Sequence, residues 1–315
     1  MKFYYVFFLN FCLLLAPGFC HAESVDVQKQ SADILSDGTR ISADVYRPKV
    51  ADQARRFPAI IMSHGWGGVA SHLAETASDI ARAGFVVVVI DYRGWGKSDA
   101  RLIQVKDKDG KFSKTRELRE VVDPLDQAED IFSAINWVAS DTQVDSSKIG
   151  LWGTSFSGGL VVYVAARDKR VKALVSQVAS MGWGSNYTSF ANDWYSKGGQ
   201  RVRGRLDYPS PSLKEIGELR GGMIWEKLVR FRPIEDADAI KNAAALFIVA
   251  QNEELLNNKE HSLAAYNKIT SPKEYIELPN IKHYDIYTGS ARKTATKTAI
   301  AWYDKHLKGV SADSQ

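Results

Sequence analysis

The chain has 315 residues, 45% of them apolar, with 41 basic side chains against 37 acidic ones for a net charge of +4. That composition supplies a sizeable core and excludes an intrinsically disordered chain, while so slight a basic excess excludes the strong electrostatic footprint of a nucleic-acid partner. Both cysteines, Cys12 and Cys20, stand within the first 22 residues; the remainder has no thiol for disulfides, cysteine nucleophiles or thiolate metal sites.

Met1-Lys2, the apolar run Phe3 to Ala16 and the small residue Ala22 read as a secretory signal peptide, residues 1–22, cleaved after Ala22. The apolar core is short for a membrane span and breaks at Pro17-Gly18. A lipoprotein box before Cys20 would need small residues where Pro17 and Phe19 stand. The expectation is a secreted or periplasmic protein beginning at Glu23, with no integral membrane span after cleavage. Loss of Lys2 leaves 40 basic against 37 acidic residues, a charge of +3.

From Val25 to Pro48 the pattern is two alternating strands joined at Ser36-Asp37-Gly38, a hairpin. A strand at Ala59 to Ser63, a helix near His72 to Ala83 and a strand at Phe85 to Ile90 follow. Lys106 to Glu120 is a dense mixed-charge stretch around Asp109-Gly110, expected to be a solvated surface loop; it lacks the further ligands of a calcium loop. A helix near Pro124 to Ala139, a strand at Ile149, a helix after Ser157 and a strand at Ala173 to Val178 continue the alternation. After a break come the strand Ala244 to Ala250, a helix from Lys259 to Ile269, the strand Glu274 to Leu278 and a closing helix from Ala291 to Leu307.

Strands alternating with helices of this length predict one α/β domain over residues 23–315, a mostly parallel sheet with helices on both faces. The break, about residues 181–238, holds Trp183, Tyr187, Phe190, Trp194, Tyr195, Tyr208, Trp225 and Phe231 and does not read as sheet. An insertion there would lie over the carboxyl ends of the strands, where open α/β sheets bind ligands, and it is expected to act as a lid.

Gly153-Thr154-Ser155-Phe156-Ser157-Gly158-Gly159 sits between a buried strand and a helix start. Small neighbours permit a tight, strained turn that lifts the Ser155 hydroxyl from the sheet, so Ser155 is the candidate nucleophile. A serine needs a base. His72, His261 and His306 fall in helical patterns and His64 ends an early strand, whereas His283 alone lies in a loop directly after the last strand. The imidazole needs a carboxylate behind it. Glu253, where strand Leu246 to Ala250 runs out, is preferred, with Glu254 in reserve and Asp236 or Asp238 possible should the lid fold back differently. His64-Gly65-Trp66-Gly67-Gly68 follows the strand at 59–63; its glycines would let the backbone N–H of Trp66 join that of Phe156 in an oxyanion hole.

The ordered set of His64-Gly-Trp-Gly-Gly68, Asp91-Tyr-Arg-Gly-Trp-Gly-Lys-Ser98 and the serine turn, with nucleophile, acid and histidine in the order 155, 253, 283, resembles the α/β-hydrolase superfamily. Asp37-Gly-Thr-Arg-Ile-Ser-Ala-Asp-Val-Tyr-Arg-Pro48 and His283-Tyr-Asp-Ile-Tyr287 resemble its dienelactone-hydrolase-like and Xaa-Pro dipeptidyl-peptidase-like (cocaine-esterase-like) members. Three features depart from the pattern. The turn reads G-x-S-x-S rather than G-x-S-x-G, the acid is Glu where Asp is commoner, and Trp66 cannot copy the oxyanion tyrosine of the Xaa-Pro branch.

The reading is an exported serine hydrolase that cleaves an ester or related acyl bond of a small acyl substrate, with no metal or organic cofactor. Two rivals stand beside it. One is a peptidase of the same fold acting on short peptides, with Glu226 or Asp193 anchoring the amine. The other is a non-catalytic binding protein that kept the fold.

Overall fold

The computed structural model describes residues 26–49, 54–106, 109–118, 120–182, 187–210, 212–216 and 219–309. The leader read at residues 1–22 lies outside them, as does Trp183. Among the described residues no helix is long and apolar enough to cross a membrane.

Eight strands form the main sheet: β1 Val27–Ser36, β2 Thr39–Pro48, β3 Phe57–Ser63, β4 Val86–Ile90, β5 Val144–Thr154, β6 Val171–Gln177, β7 Ala244–Ala250 and β8 Lys273–Leu278. Their order is β1-β2-β4-β3-β5-β6-β7-β8. The opening hairpin pairs antiparallel and β2 joins β4 antiparallel; all later neighbours are parallel.

The central strands read as unbroken apolar runs because both of their faces are buried. Successive side chains point to opposite faces. Val86, Val88 and Ile90 of β4 therefore pack with helices α2 (Pro124–Ala139) and α3 (Phe156–Ala165), through Ile131, Ile135 and Leu160. Val87 and Val89 pack on the other face with α1 (Ala74–Arg82) and the closing helix, through Ile80, Ala299 and Trp302. Each such side chain contributes about 1.5–3 kcal/mol of burial.

The loop after β4 is fixed by its own motif. Asp91 accepts from the Ala70 N–H at 2.6 Å and the Lys97 N–H at 3.0 Å, and Gly96, at φ +55°, presses so close to that carboxylate that a Cβ would lie 2.3 Å away. Arg93 grips buried Asp130 of α2 through Nε at 2.9 Å and donates to Ser36 at 2.8 Å.

Two segments differ from the sequence expectation. The mixed-charge stretch is a hairpin, Leu102–Lys106 pairing antiparallel with Phe112–Leu118 around the Asp109-Gly110 turn. Its mostly polar strands lack the apolar alternation by which a strand is read. The segment after β6 begins with α4, Tyr187–Val202, but also carries short strands. Lys214–Ile216 pairs with Leu219–Arg220, and Gly222–Met223 lies parallel to Val121–Val122. Pairings of two or three residues are too short to leave a period in sequence.

The aromatics of that segment divide. Trp194 and Trp225 stack at 5.0 Å in a small core with Ala191 and Val229, whereas Phe231 packs on Tyr163 and Phe156 of α3, at 5.4 and 6.0 Å.

Candidate active site

Strand β5 ends at Thr154 and α3 starts at Phe156, leaving Ser155 alone between them at φ 55°, ψ −121°. For a residue other than glycine that conformation costs about 1–3 kcal/mol and persists only where its surroundings impose it. Here the Ser155 N–H donates to the Gln177 carbonyl of β6 at 2.8 Å, and the Ser155 carbonyl accepts from Gly158 and Ser180 N–H groups at 3.0 Å. The glycines of the turn allow this approach. A Cβ on Gly153 would lie 2.3 Å from the Ser157 carbonyl oxygen, and one on Gly158 2.4 Å from the Ala179 Cβ.

Ser157, the departure from G-x-S-x-G, has buried partners. Its hydroxyl hydrogen-bonds with Ser63 of β3 and accepts from the Tyr92 hydroxyl at 2.9 Å. The serine thus ties the elbow to β3 and to the loop after β4, a function no sequence pattern announced.

Strand β3 is the neighbour of β5, with Ser63 opposite Gly153. The loop leaving β3 passes so close to the elbow that a Cβ on Gly65 would lie 2.9 Å from the Ser155 Cβ. It turns immediately, Gly68 N–H donating to Gly65 O at 3.1 Å with Gly67 at φ +75°. The middle N–H groups of such a turn, including that of Trp66, are unused by the turn itself, and the N–H of Phe156 opens a helix and has no intrahelical acceptor. The Trp66 and Phe156 rings meet edge-on at 6.4 Å, and Trp66 Nε1 donates to the Arg220 carbonyl at 3.0 Å.

On the other side of Ser155, β7 and β8 are parallel neighbours, so the loops leaving their carboxyl ends meet. They are laced together by Gln251 N–H to Leu278 O at 3.0 Å and Asn252 N–H to Ile281 O at 2.9 Å. His283 Nε2 stands 3.1 Å from Ser155 Oγ, and His283 Nδ1 stands 2.9 Å from both carboxylate oxygens of Glu253. Both side chains are only 2% exposed. Glu253 is itself aimed, its Oε1 accepting from Leu255 and Leu256 N–H groups at 3.0 and 3.2 Å. Glu254 also touches the histidine, at a different atom: its Oε2 accepts from the His283 backbone N–H at 2.9 Å.

Behind the elbow, the Tyr287 hydroxyl bonds with Thr154 Oγ1 at 2.9 Å, and its ring lies 6.2 Å from the imidazole. Burial pushes that phenol well above its ordinary range, with the Thr154 and Ser155 hydroxyls acting weakly in the other direction.

The remaining candidates lie elsewhere. His72 is exposed and His306 stacks on Trp302 at 4.1 Å. His261 accepts from the Met181 N–H at 3.0 Å. His64 is buried, packed edge-on against Tyr92 at 4.6 Å with Nδ1 on the Gly65 carbonyl at 2.9 Å. Asp236 pairs with Arg167 at 2.8 Å, and Asp238 is exposed. A surface concavity of about 510 Å³ borders the back of the acid loop, lined by Gln251, Glu254, Leu255 and Tyr275 among others; Ser155 and His283 do not line it. Among the described residues no group of three or more His, Cys, Asp or Glu side chains is arranged to hold a metal ion.

Similarity to known proteins bears on the same architecture. Residues 37–312 match the family described as X-Pro dipeptidyl-peptidase (S15 family). An uncharacterized 31.7 kDa protein in the traX-finO intergenic region of Escherichia coli is 27% identical over 282 residues, 80% of this chain and 92% of that one. The α/β hydrolase GrgF from Penicillium sp. sh18 superposes with a TM-score of 0.69 at 19% identity, covering 89% of this chain and 99% of that one. An acetyl xylan esterase from Paenibacillus sp. R4 gives a TM-score of 0.60 at 20% identity, covering 90% and 86%. The structural likenesses fix the α/β-hydrolase fold; by the extent of the family match, the chain belongs to the X-Pro dipeptidyl-peptidase (S15) family.

Proposed function

We propose that this protein is a serine hydrolase cleaving an ester or related acyl bond, with Ser155 as nucleophile, His283 as base and Glu253 as the acid behind it. The observation that carries the reading is the continuous chain of contacts, Ser155 Oγ to His283 Nε2 at 3.1 Å and His283 Nδ1 to Glu253 at 2.9 Å. In this mechanism Nε2 takes the Ser155 proton as Oγ bonds to the acyl carbon, and the charge that builds on the carbonyl oxygen is met by the N–H groups of Trp66 and Phe156. Nε2 returns the proton to the leaving oxygen, the acyl-enzyme forms, and water repeats the sequence to release the acid. Every step uses groups of this chain, the substrate and water. The segment at 181–238 is assigned the role of a lid, through its contact with Trp66, and export by the 1–22 leader is part of the same proposal.

The family match and the acetyl xylan esterase likeness support hydrolysis in general and leave peptide bonds as the competing substrate. Two features favour the ester. The Xaa-Pro branch is expected to offer a tyrosine hydroxyl to the oxyanion, which Trp66 cannot copy. Of the acids that would anchor a peptide amine, Asp193 pairs with Lys197 at 2.9 Å, and Glu226 has one oxygen, Oε1, held by Arg201 at 2.7 Å.

The decisive test compares Ser155→Ala with the parent on short p-nitrophenyl esters. A loss on the order of 10⁶-fold in turnover is expected, together with loss of fluorophosphonate labelling; equal rates in the two proteins would overturn the assignment.

A further inference from the structure

Beside a base that is 1% exposed, Tyr284 keeps 54% of its surface open to solvent. Its ring meets the imidazole of His283 edge-on, at 5.2 Å and 78°, and lies 6.4 Å from the Tyr287 ring. The Tyr287 hydroxyl reaches Thr154, next in sequence to the candidate nucleophile, so Tyr284 is the open member of a group of rings packed against the imidazole.

The backbone turn that carries the ring is fixed. Lys282 N–H donates to Asp285 Oδ2 at 2.9 Å, Asp285 N–H to Lys282 O at 3.2 Å and Tyr287 N–H to Tyr284 O at 3.3 Å. Glu254 holds the His283 N–H, and Ile286 is buried beneath. An aromatic held open to water on a rigid turn is a preorganised contact surface, because most large aromatic side chains bury the bulk of their area.

We propose that Tyr284 is a specificity-determining residue that receives the leaving group, and that the site prefers esters whose alcohol carries a flat apolar face, an aryl ring being the simplest. This rests on the serine-hydrolase reading. In that chemistry Nε2 of His283 must hand its proton to the leaving oxygen, so the departing alcohol lies on the imidazole side, whereas the acyl oxygen turns toward Trp66 and Phe156. Among the described residues, an aromatic that meets the imidazole with its surface open is Tyr284. Offset or edge-on contact with such a ring is worth a rate factor of roughly 2–10.

The test measures kcat/KM for phenyl acetate and ethyl acetate with the parent, Tyr284→Ala and Tyr284→Phe. Both substrates give the same acetyl-enzyme, and kcat/KM reads the steps through expulsion of the alcohol; differences in intrinsic reactivity cancel in each variant-to-parent ratio. Tyr284→Ala is expected to lose about 2- to 10-fold on phenyl acetate and less than about 2-fold on ethyl acetate, with Tyr284→Phe close to the parent on both. Equal losses on the two esters, no loss on either, or a Phe variant as impaired as the Ala variant overturns the proposal. A parent inactive on both esters overturns instead the serine-esterase reading on which it rests.

Discussion

Two adjacent glutamates touch one histidine at different atoms, and the difference assigns them different work. Glu253 faces the ring nitrogen Nδ1 from a nearly closed pocket, whereas exposed Glu254 accepts from the backbone N–H. In the proposed mechanism a charge beside Nδ1 would stabilise the imidazolium formed as Ser155 attacks, whereas a charge at the backbone N–H would only hold the loop. Glu253→Gln is therefore expected to lower kcat by about 10⁴-fold, the scale seen when a triad carboxylate becomes an amide, and Glu254→Gln, which keeps an accepting oxygen, by less than about 10-fold. Steady-state kinetics of the two variants on p-nitrophenyl acetate decides the matter, and the opposite ranking would move the acid to Glu254.

At the scale of elements, the site is where four strand ends converge: β3, β5, β7 and β8. β3, β7 and the last residues of β5 were legible as apolar runs and β8 by its place in the strand–helix alternation, and the candidate residues were legible because each stands just beyond a strand's carboxyl end. The partners that hold them were not. Ser157, Tyr92 and Ser63 lie far apart in sequence and meet only because β3 and β5 pair and the loop after β4 folds over them. The hairpin at Leu102–Lys106 and Phe112–Leu118 was hidden by its polar strands, although Asp109-Gly110 marked its turn. Gly158, by contrast, was visible in the motif but explained there only by the turn. The structure adds that α3 packs its first turn against the segment leaving β6, where an added Cβ would lie 2.4 Å from Ala179 Cβ and 2.9 Å from its Cα. Overpacking of that kind costs about 1–3 kcal/mol, so Gly158→Ala is expected to lower the melting temperature by about 2–5 °C. An unchanged thermal melt would mean that α3 does not pack against Ala179 this closely.

At the scale of the whole molecule, one buried ring is expected to make stability depend on pH. Burial pushes His64 down to about 4 from an ordinary 6.5, against smaller opposing effects of the Gly65 carbonyl and Asp91; His72 adds to the lowering. Its Nε2 is buried without a hydrogen-bond partner among the described residues, so a proton there would bring a charge into a buried site beneath the loop that leaves β3. Above pH 6.5 His64 is neutral in both the folded and the unfolded chain and contributes no slope. Between 6.5 and 4 the unfolded chain takes up a proton that the folded chain refuses, so the unfolded state binds more protons and stability falls with pH. At about 1.4 kcal/mol per pH unit over that window, the loss reaches about 3 kcal/mol, a substantial part of the 5–15 kcal/mol typical of a folded domain. His261, also lowered by burial, acts in the same direction. Urea unfolding at pH 7 and pH 4.5 is expected to give a lower midpoint in acid, and His64→Asn, which cannot titrate, to reduce that difference by about 2 kcal/mol. A parent and a variant with the same difference between the two pH values would remove His64 as its source and leave the acid sensitivity to other groups.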